Sequence, residues 1–213
     1  MNRLVLIGAV GLAVIVAAFY LGVGGNSDTE EFADIDTSSV VEMTMGPEDA
    51  KVTLIEYASF TCPHCANFHK GPFKQLKADY IDTGKVHFIY RDVFFDPYGL
   101  AASQLARCGG PDRFFGISDM LYERQAVWAD RSLNAAGVSE QLAKIGKIAG
   151  LSADQIEACL NDEARSQVLV AWYQKNAQAH GVDSTPTLII NEKKYSNMSY
   201  SDLKEIVDAK LAE

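Results

Sequence analysis

Cys62-Pro63-His64-Cys65, set between an apolar β-type run and an amphipathic stretch, is the segment of this 213-residue chain with the most chemistry to offer. Peptide N–H groups and the macrodipole converge on a helix N-terminus, so a thiolate at Cys62 is stabilised there. His64, one residue short of the second cysteine, adds positive charge or a hydrogen-bond donor when Cys62 ionises. Both effects lower the thiol pKa, favour the reduced form and make the corresponding disulfide a stronger oxidant. Cys65, one helical turn on and facing inward, is placed to resolve a mixed disulfide formed on Cys62.

The same two thiols would serve as half of a zinc site, which needs a second close pair of ligands. The remaining cysteines, Cys108 and Cys159, lie 51 residues apart. His69 sits one helical turn past Cys65 but brings only a third ligand. A redox pair is therefore the expected use, with no metal and no organic cofactor. His69, His87 and His180 read as surface or packing residues, as do Trp128 and Trp172 in the middle of the chain. Phe68 and Phe73 read as core around the first helix. Phe60 reads the same way, or as lining for a peptide groove, and Arg91 has no evident role.

The elements that must position this pair follow from patterning. Val52–Tyr57, Val86–Tyr90 and Thr187–Ile190 are near-continuously apolar and rich in β-branched and aromatic residues, as strands covered on both faces are. A helical stretch from about Pro63 to Tyr80 joins the first two, which predicts a parallel β-α-β unit. "INEKKY" after the third run predicts a hairpin turn into a short edge strand. Ser199 with Asp202 then opens a last amphipathic helix carrying Leu203, Ile206, Val207 and Leu211. From about Pro97 to Ala179 no strand-like run occurs, only helical pieces punctuated by glycines, with Ser152 and Gln155 forming a capping box.

Ahead of these elements, Leu4 to Val23 is an unbroken apolar run of 20 residues, long enough as a helix to span a bilayer core. Arg3 precedes it and no Lys or Arg follows until Lys51, so the positive-inside rule sends the remainder across the membrane. The run reads as an uncleaved anchor or a cleaved signal peptide within residues 1–25. Either places the body where disulfides persist. Residues 26–46 hold six acids and no base, which reads as a solvated tether. With a net charge of −9 and a sequence pI near 4.9, the chain has no basic stripe for phosphates, and a nucleic-acid partner is excluded.

"IEYASFTCPHCANF" resembles the active-site segment of DsbA-type thiol oxidases of the thioredoxin superfamily, and "GPEDAKVTLIEYASFTCPHC" is similar to the opening of bacterial extracytoplasmic members. "GVDSTPTLIIN" resembles the family's cis-proline loop and the strand after it. The resemblance covers about residues 47–213 and implies an α/β thioredoxin fold at 47–97 and 180–213, with an inserted helical domain at 98–179. It implies that Cys62 is the nucleophile and Cys65 its buried partner. Pro186 would face the disulfide in a cis bond, and Thr185 with Pro63 would meet the substrate peptide. Glu56 matches a buried family carboxylate beneath the cysteines, the proton acceptor for Cys65. In an oxidising compartment Cys108 and Cys159 are expected to form a structural disulfide within the insertion, the alternative being two buried free thiols.

These features together predict an extracytoplasmic, monomeric thiol:disulfide oxidoreductase. It would pass the Cys62–Cys65 disulfide to reduced or unfolded cysteine-containing proteins. Re-oxidation by a DsbB-type membrane oxidase is what the resemblance implies, and the location would be periplasmic, tethered through residues 4–23 if these are uncleaved. A disulfide isomerase or reductase of the same fold remains open, since isomerases often carry Thr at the position of Thr185. A thiol-based copper chaperone is the reading from a different class, against which stands the lack of a Met- or His-rich tract.

Overall fold

In the computed structural model, residues 34–213 are described; the apolar run at 4–23 and residues 26–33 of the acidic tether lie outside them. No helix of the described residues is long and apolar enough to cross a membrane. The chain divides into two compact units. One comprises 42–93 and 176–213; the other contains 94–175 together with the described residues up to Val41.

The first unit is built on a five-stranded sheet of β1 (Met43–Met45), β2 (Val52–Ala58), β3 (Val86–Asp92), β4 (Thr187–Ile190) and β5 (Lys193–Ser196) in the order β1-β3-β2-β4-β5. β2 and β3 are parallel, joined by α1 (Pro63–Lys70), α2 (Pro72–Leu76) and a π-helical turn at Lys77–Ile81. All other pairings are antiparallel. The centre of the sheet holds the apolar runs: every residue of β4 is buried, and Val52, Leu54, Val86 and Phe88 are wholly so. The edges carry what the interior cannot. β5 presents Lys193 and Lys194, charges that discourage pairing with another chain. Asn191 and Glu192, both at positive φ, make the tight turn between β4 and β5. α9 (Tyr200–Ala212) closes the unit, with the Ser199 side chain accepting from Asp202 N and with Leu203 and Val207 buried.

Two sequence expectations change here. Residues 43–45, assigned to the tether, form β1 and pair with Phe88–Tyr90, because the alternation in "MTM" lets Met43 reach the core at 2% exposure. The stretch 63–80 is not one helix. Gly71 leaves helical geometry (φ −125°, ψ −91°), and Pro72, lacking an N–H, starts a new helix after it. The turn after β1 needs a glycine: Gly46 has φ +79°, and a Cβ there would stand 2.2 Å from the carbonyl oxygen of Val86.

The second unit is helical: α3 (Pro97–Cys108), α4 (Pro111–Glu123), α5 (Gln125–Trp128), α6 (Ala135–Ile148), α7 (Ala153–Leu160) and most of α8 (Glu163–Ala179). Helices α3, α6 and α7 start where the sequence supplies side-chain caps. Asp96 accepts from Gly99 N, Asn134 from Gly137 N, and Ser152 with Gln155 forms a complete capping box. Trp128, fully buried, donates its indole N–H to Leu121 O at 2.8 Å. Trp172 is buried beneath the Arg107 guanidinium, which also donates to Val41 O.

Cys108, the last residue of α3, is disulfide-bonded to Cys159 in α7, with a Cα separation of 5.9 Å. Cross-linking residues this far apart in sequence removes chain entropy from the unfolded state worth roughly 4 kcal/mol. The double variant Cys108→Ala/Cys159→Ala is expected to lower the midpoint of thermal unfolding while leaving turnover at Cys62 nearly intact. Loss of turnover at a temperature where the variant remains folded would make the pair catalytic instead.

Candidate active site

Cys62 is the N-cap of α1, with Pro63 at the first helical position, where a missing N–H costs nothing. Its own N–H is bound to Ser59 O and its carbonyl accepts from Ala66 N, so the backbone at the turn out of β2 is fixed at both ends. Cys62 keeps 9% of its surface exposed and Cys65 none. The two are not joined by a disulfide.

The two thiols are electrostatic opposites. The Cys62 thiol is pulled down from the ordinary 9.0 to about 5. The largest cause is the Cys65 thiol donating to it; burial opposes the shift, and the Thr185 side chain and the backbone N–H groups of Cys65 and His64 add to it. Cys65 is pushed far up, first by burial, then by its bond to Cys62 and by the negative charges of Glu56 and Cys62. One thiol is thus an anion at neutral pH and the other holds its proton. His64, the third member of the motif, is exposed, and it acts on Cys62 through its backbone N–H.

Thr185 and Pro186 approach from the other side. β4 pairs with β2 so that Thr187 stands opposite Tyr57, which brings the preceding loop to the start of α1. The Thr185–Pro186 bond is cis, Pro186 is buried, and Thr187 Oγ1 donates to Ser184 O at 2.7 Å. Cys62 Sγ lies 3.6 Å from Thr185 O, an acceptor that suits the protonated thiol. The Thr185 hydroxyl, a buried oxygen with no other hydrogen-bond partner among the described residues, is the group that favours the thiolate, since a carbonyl can only accept.

Glu56 of β2 is fully buried on the face covered by α1. His69, expected as a surface or packing residue, is packed inside at 3% exposure and also has Nε2 2.9 Å from Glu56 Oε2, a contact the sequence expectation does not include. Its signal in the sequence is the four-residue spacing from Cys65, which puts both on one face of α1. His87 is buried near Gly46 O, and His180 Nδ1 meets Tyr57 Oη at 2.7 Å. Arg91 also has a place: it donates to Tyr57 Oη and to both carboxylate oxygens of Glu42, tying β3 to β2 and to the residue before β1.

A family profile described as Thioredoxin matches residues 38–209, nearly all of the described chain. The chain belongs to the thioredoxin family. Within it, a putative protein-disulfide oxidoreductase of Rickettsia bellii is 31% identical over 173 residues, 81% of this chain and 65% of that protein. The chain thus spans just under two thirds of the length of that rickettsial relative, and 62% of its counterpart in Rickettsia typhi. Disulfide bond formation protein D of Bacillus subtilis is 27% identical, with 78% of this chain and 76% of that protein aligned. Among solved structures, oxidised BdbD from Bacillus subtilis superposes with a TM-score of 0.70 at 25% identity, covering 81% of this chain and 94% of that one. Wolbachia pipientis alpha-DsbA1 superposes with a TM-score of 0.75 at 24% identity, covering 86% and 96%. The thioredoxin-family fold with a helical insertion is therefore shared with DsbA structures.

Proposed function

We propose that the protein is an extracytoplasmic thiol:disulfide oxidoreductase that donates the Cys62–Cys65 disulfide to reduced, incompletely folded proteins. The observation that carries this reading is the opposition of the two thiols. A stabilised Cys62 thiolate makes the reduced form low in free energy and so makes the disulfide ready to accept electrons. The names of the rickettsial and Bacillus relatives point the same way.

In the proposed step a substrate thiolate attacks Cys62 Sγ, the Cys62–Cys65 bond breaks, and Cys65 leaves with the electron pair and takes up a proton. A second substrate thiolate then attacks its own mixed-disulfide sulfur and Cys62 departs as a thiolate. The substrate is oxidised by two electrons and the enzyme is left with one thiolate and one thiol. Thr185 and Pro63 line the approach to Cys62, Pro186 packs beside the sulfur without an N–H to compete for it, and Glu56 serves the proton of Cys65. Re-oxidation by a DsbB-type membrane oxidase and tethering through residues 4–23 complete the proposal.

The oxidised protein, mixed with an excess of a reduced unfolded protein, is expected to transfer one disulfide per chain and to return as the dithiol. Mass spectrometry after acid quench and alkylation reads both products. A fixed Cys62–Cys65 disulfide under these conditions would contradict the reading.

A further inference from the structure

The buried pair beneath the cysteines contains one oxygen that is unaccounted for. Glu56 Oε2 is bound to His69 Nε2, whereas Glu56 Oε1 is buried with no hydrogen-bond partner among the described residues. A buried carboxylate oxygen left open is costly, and its presence asks for a use. The negative charge of Glu56 acts on the Cys65 thiol, so the open oxygen belongs to a group that senses that sulfur. Cys65 and His69 stand four residues apart on α1 and share its inward face, above Glu56 on β2.

We propose that His69 is a positioning residue for disulfide exchange: it holds Glu56 by Oε2 so that Oε1 takes the proton of Cys65 when Cys65 must act as a thiolate. This role rests on the oxidoreductase reading above. As the disulfide is re-formed, the Cys65 proton passes to Glu56 Oε1, the Cys65 sulfur attacks Cys62 Sγ in a mixed disulfide, and the bound thiol leaves with the electron pair. In the donating direction the same proton returns to Cys65 as it leaves. Atoms and electrons balance with substrate or a small disulfide as the only co-reactant.

Aromatic and apolar side chains enclose the pair. The His69 ring is packed against Phe73 of α2 at 4.5 Å and lies edge-on to Tyr90 of β3 at 6.0 Å. β4 brings Leu188 opposite Glu56. The titratable groups that these elements bring to this face include Cys65 with Cys62 on α1 and Tyr90 with the buried Asp92 on β3; Phe73 and Leu188 are apolar. Without His69 the Glu56 side chain would have no hydrogen-bond partner among the described residues to fix where Oε1 points.

The test is a single-turnover oxidation of the full reduced protein by oxidised glutathione, quenched by alkylation. Mixed-disulfide formation on Cys62 and ring closure by Cys65 are then separate phases. His69→Leu is expected to slow closure about a hundredfold at neutral pH and to move its pH profile to the alkaline side, with the first phase unchanged. His69→Gln retains an N–H that can donate to Glu56, and it is expected to recover most of the rate. Closure at the unaltered rate in both variants would overturn the proposal. So would a His69→Gln protein in which closure is slowed about a hundredfold, a result that decides the matter even if the leucine variant does not fold. Failure of the unaltered protein to form the Cys62 mixed disulfide would overturn the oxidoreductase reading itself, an outcome visible in the first phase and distinct from a defect confined to the second.

Discussion

In the reduced protein, Cys62 is expected to alkylate far faster than an ordinary exposed thiol in mild acid and more slowly than it in mild base. With its thiol at about 5 against the ordinary 9.0, Cys62 is half thiolate at pH 5, where the ordinary thiol is about one part in ten thousand thiolate. Intrinsic nucleophilicity falls with pKa, and over this interval the loss is roughly sixtyfold. The net advantage with a small reagent is about eightyfold at pH 5 and about fifteenfold at pH 6, and it reverses above about pH 7.2. The crossing is what identifies a stabilised thiolate, because greater or lesser access would displace the whole curve without tilting it. A Cys62 rate that keeps rising toward pH 9 in parallel with a reference thiol would remove the thiolate from the mechanism.

The second large effect is all-or-none. Cys65→Ala, first loaded with glutathione in a mixed disulfide on Cys62, is expected to accumulate a covalent complex with reduced, unfolded protein substrates as their thiolates displace glutathione, and Cys62→Ala treated alike to accumulate none above background. Cys65 has no exposed surface and its thiol is pushed far up by burial, so it neither reaches a substrate disulfide nor attacks one. Its work begins only once a sulfur is already attached to Cys62. Non-reducing electrophoresis with mass identification of the linked cysteine reads the result. Equal trapping by both variants would show that the nucleophile has been wrongly assigned.

Much of the frame was legible because the relevant signals are local. Three apolar runs rich in β-branched and aromatic residues became β2, β3 and β4, and Ser152, Gln155 and Ser199 cap helices where their spacing said they would. The pairing of Cys108 with Cys159, expected from the compartment, stands as a disulfide. What stayed hidden depends on tertiary placement. Glu56 and His69 are 13 residues apart on a strand and a helix, and nothing periodic links them until α1 is laid over β2. Arg91 acquires its role only when β3 lies beside β2 and the chain before β1 returns with Glu42. Strand β1 is three residues long in a polar, acidic context, so its alternation is too brief to stand out before the register with Phe88–Tyr90 is known. His64 shows the converse: its motif position is plain, yet its side chain is exposed and its backbone N–H is the group that meets Cys62.

The most direct test of the central claim is the reduction potential of the Cys62–Cys65 couple as a function of pH, measured by equilibration with glutathione. A thiolate held at about 5 predicts a potential on the oxidising side of about −200 mV at neutral pH, toward the DsbA end of the scale. It also predicts a slope of about 30 mV per pH unit above pH 5, where reduction takes up one proton, steepening to about 60 mV below it, where it takes up two. A value near the −270 mV typical of thioredoxin, with no change of slope around pH 5, would contradict a disulfide donor built on the Cys62 thiolate.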